Sequence, residues 1–172
     1  MKTSRATVAA NRERIVSAAA RLFRSRGFDA VSVAEVMEAA GLTHGAFYSY
    51  FASKDALFVE ALTSALDVKG YPDELVDYAE IYLSPRHRDG AADGCAVSAL
   101  GTECGRRDDA ARTAMTLALE RQIARFTRSG RTRDEAIRGW AAMLGAMVLS
   151  RAVDDDALSR EVLDSVRLSF SA

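Results

Sequence analysis

The feature that most narrows what this chain can fold into is the run SVAEVMEAAGLTHGAFYSYFASK, residues 32–54, which reads as two short helices hinged at a glycine. Ser32 stands where a helix is capped, and Glu35 three residues later completes a capping box. Val33, Val36, Met37 and Ala40 then recur at helical spacing and mark one buried face. Gly41 follows where a helix ends in a left-handed residue, a conformation glycine adopts at least cost. Thr43 is placed to cap the second helix, whose Phe47 and Phe51 point back into the same small core with Leu42 at its entrance. A helix, a glycine turn and a second short helix make a helix-turn-helix.

The outward face of the second helix carries Thr43, His44, Gly45, Ala46, Tyr48, Ser49 and Tyr50, with no carboxylate before Asp55. Hydroxyls suit phosphate oxygens, whereas His44 and the small Gly45 and Ala46 near the helix start suit close approach to base edges. Lys54 adds a cation just past the helix. The net charge of −1 is uninformative, but its distribution is not: Met1–Arg26 holds Lys2, Arg5, Arg12, Arg14, Arg21, Arg24 and Arg26 against Glu13 alone. Such asymmetry is the electrostatic footprint of a nucleic-acid-binding module, with a solvated basic helix face as the plainer alternative.

GLTHGAFYSYFASKDAL, residues 41–57, closely resembles the recognition-helix signature of the TetR family of bacterial transcriptional repressors. The resemblance extends upstream through RIVSAAARLFRSRGFDAVSVAEVMEAA and covers about the first 60 residues. It implies an all-α protein: an N-terminal three-helix helix-turn-helix domain, residues 1–60, and a C-terminal helical ligand-binding and dimerisation domain, residues 61–172. It further implies phosphate contacts from Ser32, Thr43, Tyr48, Tyr50 and Lys54, with His44, Gly45, Ala46 and Ser49 facing base edges. His44 replaces the Lys or Arg often found at its place, so a base preference does not carry over.

Two prolines, 49% hydrophobic and 27% charged residues independently favour a helical globular chain. Residues 1–10 read as a mobile arm from which Lys2 and Arg5 reach toward DNA. The first helix is expected over Asn11–Arg26, with Ile15, Ala19, Leu22 and Phe23 buried. Ser53 is placed to cap a further helix, which falters at Asp67–Tyr71. Another is expected from Pro72, stopped by Pro85, followed by a loop over residues 84–94. Helices then follow over Cys95–Arg106 and from the Asp108 cap to Arg128, the latter with Ala111, Met115, Leu119, Ile123 and Phe126 inward. Thr132 and Glu135 form a second capping box, opening a helix to Val153, and Ala157–Phe170 closes the chain.

The Thr132–Val153 helix is apolar on nearly all sides between Gly139 and Leu149, so it calls for burial around its circumference. Gly139, Ala141, Ala142, Gly145 and Ala146 would let a second subunit approach, giving a homodimer through the two C-terminal helices; the alternative is the central helix of a monomeric bundle. Tyr78, Tyr82, Met115, Phe126, Trp140 and Met143 are either plain core or the lining of a pocket for a small apolar or aromatic effector. His87 and Glu103 are candidates for its polar contacts, and Cys104 is either a redox-sensing thiol or a small buried hydrophobe.

No phosphate loop, paired Cys or His metal spacing, or nucleophile elbow occurs, so neither cofactor nor metal is expected. Nor does any run approach the roughly 20 apolar residues that span a bilayer, and a cytoplasmic protein is expected. The reading that results is a ligand-responsive dimeric repressor on a palindromic double-stranded DNA operator, not an enzyme. The alternatives are a small-molecule-binding protein or enzyme with a vestigial helix-turn-helix, and a protein-interaction adaptor.

Overall fold

A computed structural model describes residues 4–67 and 70–171, so Lys2 and the Val68–Lys69 part of the expected break lie outside the described residues. Among them every regular element is helical: α1 (Arg5–Arg26), α2 (Val33–Ala39), a 3-10 segment (His44–Ser49), α3 (Lys54–Leu66), α4 (Leu75–Tyr82), α5 (Pro85–Asp89), a 3-10 turn (Ala91–Asp93), α6 (Ala96–Cys104), α7 (Asp109–Arg128), α8 (Arg133–Ala152) and α9 (Asp156–Leu168).

Caps set most boundaries. Ser32 with Glu35 and Thr132 with Glu135 form reciprocal capping boxes, while Ser53 and Asp108 accept from the backbone N–H groups of Ala56 and Ala111. Gly41 turns the chain at φ +68°. Gly27 ends α1 at φ 81°, ψ 165°, a region essentially reserved for glycine.

Four expectations need correction. The segment read as an arm is helical from Arg5, because Ser4 caps it by accepting from Thr7 N at 3.1 Å. Pro72 does not open a helix; α4 begins at Leu75, after Glu74 in an extended conformation. Nor does Pro85 close one: it is the first residue of α5, where its missing N–H costs nothing, and Ser84 caps that helix. Finally, Leu119 is 42% exposed, since the inward stripe of α7 runs through Ala111, Ala118, Ile123 and Phe126.

Two apolar clusters form the interior. The first gathers Ile15, Phe23, Phe28, Val36, Met37, Phe47, Phe51, Leu57 and Phe58 with Leu100 and Cys104 of α6 and Ala111 and Ala118 of α7. The second joins Leu75, Tyr78, Tyr82, Phe126, Trp140, Met143, Met147 and Leu163. Val97 packs against both clusters, and α7 contributes to each.

Candidate nucleic-acid interface and internal cavity

The 3-10 segment is anchored from beneath. Phe47 and Phe51 are buried and stack with ring centroids 5.8 Å apart, and the Arg12 guanidinium covers Phe51 at 4.3 Å. Thr43 holds the N-cap position without a side-chain hydrogen bond, which leaves its hydroxyl unspent. His44, Gly45, Tyr48 and Ser49 are exposed, Tyr48 to 73%. A Cβ built on Gly45 would meet nothing within 4 Å, so the fold does not require glycine there. Ala46 is half-buried against the core.

Other sequence-predicted residues are committed to the fold. Tyr50 accepts from Asn11 Nδ2 at 3.0 Å, tying the segment to α1. The Ser32 hydroxyl is spent on the capping box, in which Glu35 sits with a pKa held down to about 2, chiefly by accepting from the Ser32 backbone N–H. Lys54 Nζ donates to the Phe28 carbonyl at 2.6 Å and lies 4.0 Å over the Phe28 ring. Burial lowers its pKa, and the bond to Phe28 already occupies one of its donors.

The basic N-terminal run is also largely consumed internally. Arg12 pairs with Glu60, Arg21 with Asp93 and Arg26 with Glu35, while Arg24 Nε donates to the Ala92 carbonyl at 2.7 Å. Arg5 and Arg14 keep no acidic partner among the described residues. Arg14 lies over the turn: its Nη2 is 2.6 Å from where a Cβ on Gly41 would stand. Arg14 and Asn11 are therefore site neighbours that no motif singled out. Their signal was positional, three residues apart and so on one face of α1.

A cavity of about 290 Å³ opens in the body of the molecule. Of the residues expected to line a pocket, Tyr78, Tyr82 and Trp140 do, whereas Met115, Phe126 and Met143 lie off its wall. Tyr71 adds a further ring, 4.8 Å from Tyr78 between centroids, and Trp140 stands edge-on to Tyr78 at 5.7 Å and to Tyr82 at 5.1 Å. Burial raises the pKa of all three tyrosines, so each phenol stays protonated.

His87 reaches the wall with both ring nitrogens already used. Nδ1 bonds the Tyr82 carbonyl at 2.7 Å, and Nε2 accepts from Cys95 N at 3.1 Å. Burial lowers its pKa and keeps it neutral. Glu103 is remote from the cavity; it accepts from the Phe28 N–H at 2.9 Å. Cys104 is buried, and burial together with Glu103 pushes its thiol up to about 11, the reverse of what a reactive thiolate needs.

An anchored recognition segment behind a glycine turn, carried on an all-helical body, defines a helix-turn-helix protein. Residues 15–61 match the family profile described as bacterial regulatory proteins, tetR family, so the likeness of sequence lies in the helix-turn-helix part of the chain. The chain is similar to an uncharacterised HTH-type transcriptional regulator of Bacillus subtilis strain 168, YdgC, at 45% identity over 53 residues, which is 31% of this chain and 27% of that protein. It is likewise similar to the HTH-type transcriptional repressor BdcR of Escherichia coli K12, at 42% over 60 residues, 35% of this chain and 30% of BdcR. The matched stretch thus spans less than a third of either relative. A TetR transcriptional regulator from Chloroflexus aurantiacus superposes with a TM-score of 0.76 over 96% of both chains at 18% identity, a likeness of fold.

Proposed function

We propose that the chain is a homodimeric transcriptional repressor that binds double-stranded DNA at an inverted-repeat operator and lets go when a small apolar or aromatic effector enters its body. The observation that carries this reading is the exposed, carboxylate-free face of the His44–Ser49 segment, with open space over Gly45. Thr43 and Tyr48 offer hydroxyls to phosphate oxygens, Arg14 adds charge beside the turn, and His44 and Ser49 stand at the base edges. BdcR, similar over 60 residues, is named a repressor.

The dimer is supported by what α8 and α9 leave uncovered. Ile137, Val148, Leu149 and Leu158 are exposed, with Ala141, Ala142 and Gly145 also outward on α8. Gly139 and Ala146, expected at the seam, face inward instead; a Cβ on Gly139 would stand 3.0 Å from Leu75. Two-fold pairing through this face presents two recognition segments to half-sites ~34–36 Å apart, so an effector that changes their separation changes affinity.

Gel-shift titration against duplexes selected from a random pool tests the reading. Tyr48→Phe is expected to weaken specific and random DNA alike, whereas His44→Ala costs ~1–3 kcal/mol at one base position and relaxes preference there. Absence of salt-dependent binding to any duplex would overturn it.

A further inference from the structure

We propose that the cavity takes a small aromatic carboxylate, a benzoate-like anion whose ring lies among the tyrosines and Trp140 and whose carboxylate is held by Arg24; this deepens, and rests on, the ligand-responsive reading above. Size sets the first limit. About 290 Å³ lies just below the ~300–1,000 Å³ usual for ligand pockets, room for one ring with a short substituent. Shape sets the second, because Tyr71, Tyr78, Tyr82 and Trp140 supply ring faces and edges to a flat apolar body.

Charge selects the anion. Arg24 lies half-buried on the wall and spends only Nε, on the Ala92 carbonyl; its two Nη groups have no hydrogen-bond partner among the described residues. Desolvation disfavours its charge, and Asp93 offsets only part of that penalty, so an anionic occupant would relieve the remainder. The other charged group on the wall, Asp93, is already paired with Arg21. His87 is neutral with both nitrogens bonded, and the phenols are protonated. On the wall itself Arg24 and Asp93 balance, and with Arg21 counted the cluster of the three carries one net positive charge. A guanidinium in that cluster matches a carboxylate in bidentate geometry and repels an organic cation.

The unmet hydrogen bonds agree in sign. Gln122 Nε2 and Trp140 Nε1 are buried without partners, and both residues line the cavity beside the Tyr82 phenol, which has Cys95 and Ser98 as neighbours. The amide and indole nitrogens are donors only and the phenol can donate, so they complement a group that only accepts. Leaving such groups unpaired is costly, and small ring movements on binding would let an acceptor reach them. Arg24 also belongs to α1, so a ligand drawing its guanidinium away from Ala92 loosens one attachment of the DNA-reading head to the body.

Trp140 is the sole tryptophan, which makes the cavity directly observable. The full chain is titrated with benzoate, benzyl alcohol and benzyltrimethylammonium while indole emission is followed. Benzoate is expected to change the emission saturably and to bind at least about ten-fold more tightly than either other probe. Arg24→Met, with helical content unchanged by circular dichroism, loses that preference and binds benzoate and benzyl alcohol alike. Should Arg24→Met not fold, Arg24→Lys keeps the charge without the fork and narrows the preference. Equal or tighter binding of benzyl alcohol or the ammonium, or a preference that survives loss of the guanidinium, overturns the carboxylate assignment while leaving a ligand cavity in place. A flat titration with all three probes overturns both, and operator binding is judged separately by gel shift.

Discussion

At the scale of single residues, glycines separate folding from function. Gly27 is required by the backbone: at φ 81°, ψ 165° a side chain is strained, and a Cβ would stand 2.7 Å from Glu103 Oε1, displacing the carboxylate that holds the Phe28 N–H. Gly27→Ala is expected to cost about 1–3 kcal/mol in denaturant unfolding. Gly45 is the opposite case. With open space around its Cβ position, Gly45→Ala should leave stability unchanged or raise it by up to ~1 kcal/mol while weakening DNA binding by crowding the groove. A stability loss without a change in affinity would show that the glycine serves the fold. Glu35 gives a pH signature. Its pKa in the fold, about 2, lies below the ordinary value of 4.5, so its capping contribution is complete above pH 4.5 and disappears as pH falls toward 2. Glu35→Ala should therefore lower the thermal midpoint at pH 7, and the gap from the parent should close in acid.

At the scale of elements, the sequence was legible wherever a polar cap met a periodic apolar stripe. Ser32–Glu35, Ser53, Asp108 and Thr132–Glu135 announced their helices because the capping chemistry is local. Prolines misled, since the same residue opens α5 as readily as it stops a helix, and only the neighbouring Ser84 cap separates the two. The start of α1 was hidden because Arg5–Ala10 buries nothing and shows no stripe. The glycine turn and its buried aromatics were legible as a motif, but the fate of the charges was not: Arg12, Arg21 and Arg26 find Glu60, Asp93 and Glu35 only once helices distant in sequence are packed together or a turn is closed. The outward face of α8 was half-legible, for its apolar excess could be counted but not which residues face α4. Replacing Leu149 there by Asp should leave the fold intact and halve the mass seen by light scattering. A parent chain that is already monomeric would remove the dimer from the proposed function.

At the scale of the whole molecule, the N-terminal helices share their apolar cluster with the helices that follow. Phe23, Phe28 and Phe58 pack with centroids 5.1–5.5 Å apart, and their cluster includes Leu100 and Cys104 from α6 and Ala111 and Ala118 from α7. Around Phe28 the body closes a polar clasp. Glu103 takes its N–H, and Arg107 stacks 3.6 Å from its ring while pairing with Asp29 at 3.0 Å and Asp55 at 3.3 Å. A fragment ending at residue 67 would keep α1–α3 but expose this apolar surface and lose the clasp. It should show no cooperative melt, whereas the full chain melts in one transition, because α7 runs through both clusters and couples them. Arg107→Ala is expected to cost about 1–2 kcal/mol through the lost cation–π contact and ion pairs, with both halves destabilised together. If the fragment instead melted cooperatively at the midpoint of the parent, the head would be independent. A ligand in the cavity would then have no packed route, through α6 or through Arg24, by which to move the DNA-facing segment.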